Sequence, residues 1–246
     1  NRYLISNRSA GEILARSSAG VLSLFTSDPG SPAGLEIVGE HVFVADGTFI
    51  RGYRLSDAVR VVNYAISPAT FLNGLASDGG DRLWTSDFSG QRLHELNISN
   101  LASVTHNTPI TATGFTPNGL WWDRVHQRLL IVSWSSGARV FRWSPGEIAA
   151  TLIVQTNFSN FDGIVQDCDG AVYVSSWGAS AILRTRAPLS AQSVFTSFAG
   201  GQSNPADIAY AVGLGEIAVP NAGNNTLNFL PTACSGVLFR DGHEDR

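Results

Sequence analysis

The sequence predicts an all-β protein, a six-bladed β-propeller of four-stranded antiparallel blades that forms a single domain over residues 1–246. A short phrase of Asn or Asp, then Gly, then an aliphatic residue recurs at Asn73, Asn118 and Asp162, 45 and 44 residues apart. Alternating β-rich runs with Gly, Ser and Asn turns follow each copy, and no long amphipathic helix pattern is present. A repeat of this length is typical of propeller blades.

The phrase opens the innermost strand of each repeat, here called strand A. Its three clear copies are "FLNGLASD" (Phe71–Asp78), "TPNGLWWD" (Thr116–Asp123) and "NFDGIVQD" (Asn160–Asp167). One further period in each direction reaches Ala33 in "SPAGLEIV" and Ala206 in "NPADIAYA". Runs such as "QRLLIVSW", "ARVFRW" and "AATLIVQT" supply strands B, C and D, separated by turn residues.

The first repeat begins inside a blade. "NRYLISN" and "AGEILAR" match strands B and C, and "GVLSLFT" matches strand D, so the first blade is predicted to lack its inner strand. The predicted blades cover approximately 1–30, 32–70, 71–115, 116–158, 160–202 and 204–240, with Gly236–Gly242 closing the last. Because a propeller closes to hide its strand edges, we expect chain before Asn1 or the tail to fill the gap.

Composition limits the partners. The net charge is −4, only 15% of residues are charged, and no basic cluster occurs, which argues against nucleic acid and anionic membranes. No apolar run approaches membrane-spanning length. All 16 basic residues are Arg, so Schiff-base chemistry on lysine is excluded. The absence of Met indicates a processed or excised chain, and we expect a monomer that is secreted or periplasmic, with a protein partner as an option.

The repeated polar residue has two interpretations. In a propeller, strand A lines the central channel, so Asn73, Asn118 and Asp162 on three consecutive blades would direct oxygen atoms to one mouth. Converging oxygen ligands suit a hard cation such as Ca²⁺ or Mg²⁺. Asn and Asp before Gly are also routine turn formers. The residues alone leave both interpretations open.

The stretches "FLNGLASDGGDRLWTSD", "TPNGLWWDRVHQRLLIVSW" and "NFDGIVQDCDGAVYVSSW" resemble the senescence marker protein, gluconolactonase and luciferin-regenerating-enzyme family of six-bladed propellers. The similarity covers nearly the whole chain. It implies a divalent-metal-dependent hydrolase that acts on a lactone or ester at the channel mouth. Asn118 and Asp162 match the family's metal ligands, Asn73 matches its substrate-contacting Asn, and Asp162 is implied as the general base. Ca²⁺ is the expected metal, with Zn²⁺, Mg²⁺ or Mn²⁺ as alternatives.

Two departures from the family pattern matter. The family's blade-one Glu ligand would lie on the strand that is missing here, and Phe71 stands where the family often has Arg. An apolar ester is therefore expected over a sugar lactone. The alternative function is a non-catalytic propeller that binds a ligand or a protein through the same mouth, with a degenerate metal site.

The B–C turns are predicted to open at the same mouth as the phrase. They carry Asp87, Trp134 and Trp177 as candidate substrate contacts. The two Trp residues form either an aromatic wall over the channel or packing between blades. Cys168 and Cys234 are predicted in turns of adjacent blades at one face, where they are either a disulfide, as suits an exported protein, or two separate thiols.

Overall fold

Six antiparallel sheets are arranged as blades around a central channel in the computed structural model, which describes residues 2–186 and 188–232. The predicted six-bladed β-propeller is confirmed. Within the described residues the secondary structure is 22 strands and one short 3₁₀ turn at Arg8–Ala10. Strand order within each sheet follows the chain, as in a meander.

The strands are short, most of them five or six residues, and are separated by tight turns. Blade one consists of β1 (Arg2–Asn7), β2 (Glu12–Ser17) and β3 (Leu22–Thr26). Blade two consists of β4 (Pro32–Val38), β5 (His41–Asp46), β6 (Phe49–Arg54) and β7 (Arg60–Ala65). Blade three consists of β8 (Leu72–Ser77), β9 (Arg82–Asp87), β10 (Arg92–Asn97) and β11 (Thr105–Ile110). Blade four consists of β12 (Pro117–Asp123), β13 (Arg128–Ser133), β14 (Arg139–Trp143) and β15 (Thr151–Gln155). Blade five consists of β16 (Phe161–Gln166), β17 (Val172–Ser176), β18 (Ala181–Thr185) and β19 (Thr196–Ala199). The described part of blade six consists of β20 (Ala209–Ala211), β21 (Glu216–Asn221) and β22 (Thr226–Pro231).

Strand pairing places the repeated phrase at one mouth of the channel. The start of each inner strand pairs with the end of the second strand, as in Leu72↔Asp87 and Phe161↔Ser176. A register shift directly follows this pair in blades two to five. Such bulges redirect side chains at the end of a ladder. The B–C turns therefore lie at the same mouth as the phrase, as its spacing predicts.

The hydrophobic core lies between the faces of neighbouring blades. Trp84 of blade three stacks on Trp122 of blade four, with ring centroids 4.7 Å apart, and Trp143 contacts Trp84 edge-on. All three indoles are buried in one cluster. Large rings that bridge two sheets each remove much apolar surface from water, so the aromatic strand residues fix how one blade sits on the next.

The glycine of the phrase lets successive inner strands approach closely. A Cβ added at Gly34, Gly74 or Gly119 would meet the backbone oxygen of the polar phrase residue in the following blade. The distances are 2.3 Å to Asn73 O, 2.6 Å to Asn118 O and 2.3 Å to Asp162 O. A Cβ at Gly163 would lie 2.4 Å from the amide nitrogen of Ile208. Any side chain at these positions would overlap the neighbouring backbone, so the glycine is required by packing around the channel.

A buried serine links each of two second strands to both neighbouring inner strands. Ser86 Oγ accepts from the Gly74 amide at 2.9 Å and donates to Asn118 O at 2.7 Å. Ser175 does the same between Gly163 and Ala206, at 2.7 and 2.8 Å. Ser6 on β1 donates to Ala33 O at 2.5 Å. β1 is therefore a second-position strand, and the first blade has three strands, as predicted.

Blade one packs directly against blade six. Tyr3 lies with its ring centroid 4.9 Å from Phe229 and donates its hydroxyl to Glu216 Oε1 at 2.5 Å. The Arg16 guanidinium lies 4.5 Å from the centroid of the same Phe229 ring. These contacts hold the first and last blades together. The predicted closing segment Gly236–Gly242 lies outside the described residues.

Replacing Gly119 with Ala should destabilise the protein by about 2–3 kcal/mol, because the new Cβ would meet Asp162 O at 2.3 Å and force the inner strands apart. Urea unfolding measures the change. Gly213→Ala is the matched control, since nothing lies within 4 Å of its Cβ, and it should stay within about 0.5 kcal/mol of wild type. Equal stability of the two variants would contradict the close-approach role.

Candidate functional site

The phrase residues of blades three to five are joined by a chain of amide hydrogen bonds. Asn73 Nδ2 donates to Asn118 Oδ1 at 2.5 Å, and Asn118 Nδ2 donates to Phe161 O at 3.0 Å. Because a backbone carbonyl only accepts, this contact fixes the orientation of the Asn118 amide. Asn118 is 2% exposed, whereas Asn73 is partly exposed to the channel. The Asn118 oxygen therefore faces Asn73.

Asp162 is the next residue of the ring and carries its carboxyl group. Protein surrounds this carboxyl on most sides, although the residue keeps partial exposure to the channel. Burial raises the pKa of Asp162 to about 7, against smaller lowering effects of Trp177 and Asn118. The Trp177 Nε1 is buried and makes no hydrogen bond within standard geometry in the described structure. The pKa of Asp162 thus lies near neutral pH, and no basic side chain of the described residues contributes to it.

Two further carboxyls, which the sequence patterns did not single out, share the channel. Burial raises the pKa of Glu36 on β4 to about 8, and the charge of Asp207 contributes, while the Ser77 backbone and Arg124 oppose it. Burial and the charge of Asp162 raise the pKa of Asp207 to about 8. A signal for Asp207 exists in the sequence, since it occupies the phrase position that is Gly in the other four copies.

Four aromatic residues form a continuous arc at the same mouth, here called the aromatic arc: Phe71, Phe88, Trp134 and Trp177. Successive ring centroids are 5.8, 6.0 and 5.0 Å apart, all edge-on. All four rings are half-buried, and none belongs to the hydrophobic clusters of the described residues. The arc is therefore a wall of the mouth and lies outside the packing between blades.

Backbone hydrogen bonds fix the arc beside the phrase. In three blades, the first backbone amide after strand B donates a hydrogen bond to a backbone carbonyl two residues before the polar residue of the phrase. The pairs are Phe88 N to Phe71 O at 2.8 Å, Trp134 N to Thr116 O at 2.9 Å and Trp177 N to Asn160 O at 3.0 Å. The Arg8 guanidinium lies 4.5 Å from the centroid of the Phe71 ring. A cation thus ends the arc on the blade-one side.

Asp87 is placed differently from the other predicted contacts. It is fully buried, and its carboxylate accepts from the backbone amides of Thr70, Phe71 and Gly90. Arg92 Nη1 lies 3.2 Å from its Oδ2. These bonds hold the D–A connection and the B–C turn of blade three, so the carboxylate oxygens are used within the blade.

The residues of the mouth fit a divalent metal poorly. No group of three or more His, Cys, Asp or Glu side chains with metal-binding geometry occurs in the described part of the chain. The Asn118 oxygen already accepts a hydrogen bond from Asn73. Asp162 is the one carboxylate of the predicted metal site. Hard cations take six or more oxygen ligands, so water would have to supply most of them here and the protein would hold the metal weakly.

The predicted pairing of Cys168 involves Cys234, which lies outside the described residues, and none of the described cysteines is a free thiol. The described residues contain no helix long and apolar enough to cross a membrane.

No protein-family profile and no curated protein sequence matches this chain. Solved structures resemble it over nearly its whole length. Virginiamycin B lyase from Staphylococcus aureus is 14% identical, with a TM-score of 0.64 over 95% of this chain and 81% of that one. A chain of the nidogen/laminin complex is 12% identical, with a TM-score of 0.72 over 94% of this chain and 93% of that one. A protein of unknown function from Bacteroides thetaiotaomicron is 14% identical, with a TM-score of 0.70 over 94% of this chain and 66% of that one.

These similarities support the propeller fold. At such low identity they carry no activity to this chain, and the neighbours include a protein named as a lyase and a protein–protein complex. The resemblance to the gluconolactonase family rests on the sequence phrases alone.

Wild-type protein should lose stability as the pH rises from about 4 through 8. The channel acids ionise near pH 4 when unfolded, but at about 7 for Asp162 and about 8 for Asp207 and Glu36 when folded. The native state therefore binds more protons than the unfolded state between pH 4 and pH 8. The contribution of these acids to the free energy of unfolding is fully present below pH 4 and is lost as the pH rises through 8. Urea unfolding at pH 5 and pH 8.5 measures the loss.

Asp207→Asn should show a smaller loss between these two pH values, because it removes one raised pKa and lowers that of Glu36. Asp81→Asn, at an exposed turn, is the control and should follow wild type. A loss in Asp207→Asn as large as in wild type would contradict the raised pKa values.

Proposed function

We propose that this propeller binds a small organic ligand at the channel mouth, between the aromatic arc and Asp162. The observation that carries the proposal is the arc itself, four half-buried rings from three consecutive blades that belong to none of the hydrophobic clusters of the described residues. Aromatic walls with a few convergent polar groups are the usual composition of a ligand site. The mouth has both, because Asn73 and Asp162 open to the same channel.

The polar groups define the ligand class. The carboxyl of Asp162 accepts when ionised and donates when protonated, and with a pKa of about 7 both forms are populated at neutral pH. A ligand with an apolar ring and a hydroxyl or ammonium group therefore fits. An ammonium group gains most, since no basic side chain of the described residues lowers the pKa of Asp162 or Asp207.

Naphthalene probes test this class. At pH 8, 2-naphthylmethylamine and 2-naphthylmethanol should bind more tightly than 2-methylnaphthalene, which lacks a polar group. Trp134→Ala should weaken binding of all three at least about tenfold through lost stacking. Asp162→Asn should weaken the amine more than the alcohol, because it removes the charge and keeps the shape. Isothermal titration calorimetry measures each affinity.

Tyr64→Ala is the matched control variant, since Tyr64 is a half-buried aromatic residue on the outer strand of blade two and is not part of the aromatic arc. It should bind all three probes as wild type does. Equal affinity of Trp134→Ala and wild type for every probe would overturn the ligand proposal.

A hydrolase of the gluconolactonase type is the second candidate, and the pKa of Asp162 favours it. A carboxylate with a pKa near 7 is a competent general base at neutral pH. In this proposal ionised Asp162 takes a proton from water, and the water oxygen attacks the ester carbonyl. The C–O bond to the alkoxide then breaks, and protonated Asp162 returns the proton, so that an alcohol and a carboxylic acid are released. Asn73 donates a hydrogen bond to the substrate, and the aromatic arc holds its apolar part.

A metal is not part of this proposed step, because the mouth offers one carboxylate and an amide oxygen that is already hydrogen-bonded. Ca²⁺ at Asn118 and Asp162 stays a proposal that rests on the sequence resemblance. Calorimetric titration of Ca²⁺ into wild type and Asp162→Ala tests it, and equal heats in the two proteins would refute it.

Hydrolysis of 4-nitrophenyl butyrate should rise with pH and level off above about 7, as Asp162 ionises. Asp162→Asn should lower kcat/KM by about 10²- to 10⁴-fold, the usual contribution of a general base. Release of 4-nitrophenol measures the rate, and Asp81→Asn should match wild type. If Asp162→Asn hydrolyses the ester as fast as wild type, the hydrolase proposal fails while the ligand-binding proposal stands.

A further inference from the structure

Two histidines of blade three lie in direct contact. His94 on β10 is fully buried, and its Nδ1 lies 3.0 Å from Nε2 of His106 on β11. The Thr108 hydroxyl lies 3.1 Å from His94 Nδ1 and 3.3 Å from His106 Nε2. These three side chains, here called the histidine triangle, share no residue with the proposed ligand site.

A bulge in the outer ladder of blade three brings the three side chains together. The register shifts between Leu93 and Glu95, and His94 between them opposes two residues of β11 instead of one. Thr108 is one of these two, and His106 stands two residues before it on the same strand. Bulges redirect side chains out of the regular alternation and are frequent beside functional sites.

The dimensions of the histidine triangle match one face of a tetrahedral metal site. Zn²⁺ lies about 2.0–2.1 Å from histidine nitrogens in such sites, which separates neighbouring ligand atoms by about 3.3–3.4 Å. The three edges of 3.0, 3.1 and 3.3 Å are within a few tenths of an ångström of this separation. Imidazole nitrogens suit Zn²⁺ and Cu²⁺, and a water molecule would take the fourth position.

The histidine triangle offers unprotonated nitrogen to a cation. Two ring nitrogens at 3.0 Å share at most one proton, so at least one of them presents a lone pair at this contact. Burial lowers the pKa of both imidazoles, that of His94 to about 4, and both rings are therefore neutral at pH 7. A bound cation would take the place of the shared proton.

The second ring nitrogen of His94 is arranged as in a metal-bound histidine. His94 Nε2 is buried, makes no hydrogen bond within the described residues and lies 3.8 Å from Asp87 Oδ2. Histidines that bind metals usually direct their second N–H to a carboxylate, which fixes the tautomer and the ring orientation. Asp87 is itself held by the backbone amides of Thr70 and Phe71, so the carboxylate is fixed behind His94.

A cation reaches the histidine triangle from the His106 side. His106 is partly exposed, and its ring centroid lies 6.2 Å from that of Tyr64 on β7. Tyr64 lines a cavity of about 420 Å³ between the outer parts of blades two and three, and Val104, directly before β11, lines its other wall. This cavity supplies an entry path, which a metal site requires.

We propose that the histidine triangle binds Zn²⁺ or the chemically similar Cu²⁺ through His94 Nδ1, His106 Nε2 and the Thr108 hydroxyl. Asp87 is the outer carboxylate that orients His94. A pair of histidines with one hydroxyl differs from a group of three His, Cys, Asp or Glu side chains, which is absent from the described part of the chain. The proposal does not depend on the ligand site, because it uses neither Asp162 nor the aromatic arc.

Calorimetric titration of Zn²⁺ into the full chain at pH 7.5 tests the proposal. Wild type should bind one Zn²⁺ at the histidine triangle. His106→Gln should weaken this binding at least about tenfold, because a nitrogen ligand is lost. Thr108→Val removes the hydroxyl, keeps the shape and should weaken binding by a smaller factor. Both residues lie on an outer strand and are partly exposed, and circular dichroism checks that each variant keeps the fold.

His126→Gln is the matched control. The side chain of His126 is 52% exposed and bonds to Asp123 on blade four, so it is a histidine with a partner outside the histidine triangle. This variant should bind Zn²⁺ as wild type does. Asp162→Asn should also bind as wild type, which separates the histidine triangle from the channel mouth. Mg²⁺ prefers oxygen ligands and should give no heat that depends on His106.

Electron paramagnetic resonance of bound Cu²⁺ identifies the ligands. Wild type and Thr108→Val should show coupling to two imidazole nitrogens, and His106→Gln should show coupling to one.

Two results would overturn the proposal. If wild type binds no Zn²⁺, or if His106→Gln binds it as tightly as wild type, the two rings are a hydrogen-bonded pair and no metal site. If the Cu²⁺ spectrum of His106→Gln equals that of wild type, the cation is held by other residues.

Discussion

The close backbone contact between successive inner strands is the constraint on which the rest of this structure depends. Each phrase glycine brings its strand to a distance at which a Cβ would overlap the next backbone. Ser86 and Ser175 bridge the same contact with one donated and one accepted hydrogen bond. The channel is narrow because of this contact, and the residue before each glycine is held at its mouth.

The narrow channel explains the chemistry of the acids. Carboxyls along the channel are enclosed by strand backbones that come close on both sides, so burial raises the pKa values of Asp162, Asp207 and Glu36. The aromatic arc follows from the same geometry, because the amide after each second strand bonds just ahead of the phrase and sets a ring beside it.

The sequence was sufficient for the fold because the repeated unit is local. Period, strand alternation and the phrase glycine all lie within one blade, and they predict the blades and the three-stranded first blade. The site was harder, since contacts between blades decide it. Asn118 is predicted from its phrase as an oxygen ligand, and no pattern along the chain indicates that its oxygen accepts from Asn73 and its amide nitrogen donates to Phe161 O. Glu36 was missed because its importance comes from Asp207 across the channel, which no spacing along the chain reveals.

The substitution of Asp207 for glycine and the exposure of β1 have one cause. No described inner strand lies on the blade-one side of Asp207, so the steric demand for glycine is absent there and a carboxyl is tolerated. That carboxyl lies beside the phrase of blade five, where its Oδ1 is 2.7 Å from the position of a Cβ at Gly163, and its charge and that of Asp162 each oppose ionisation of the other. A basic group that neutralises Asp207 therefore makes Asp162 ionise more readily. The protonation state of Asp207 on blade six is therefore linked to that of Asp162 in the ligand site on blade five.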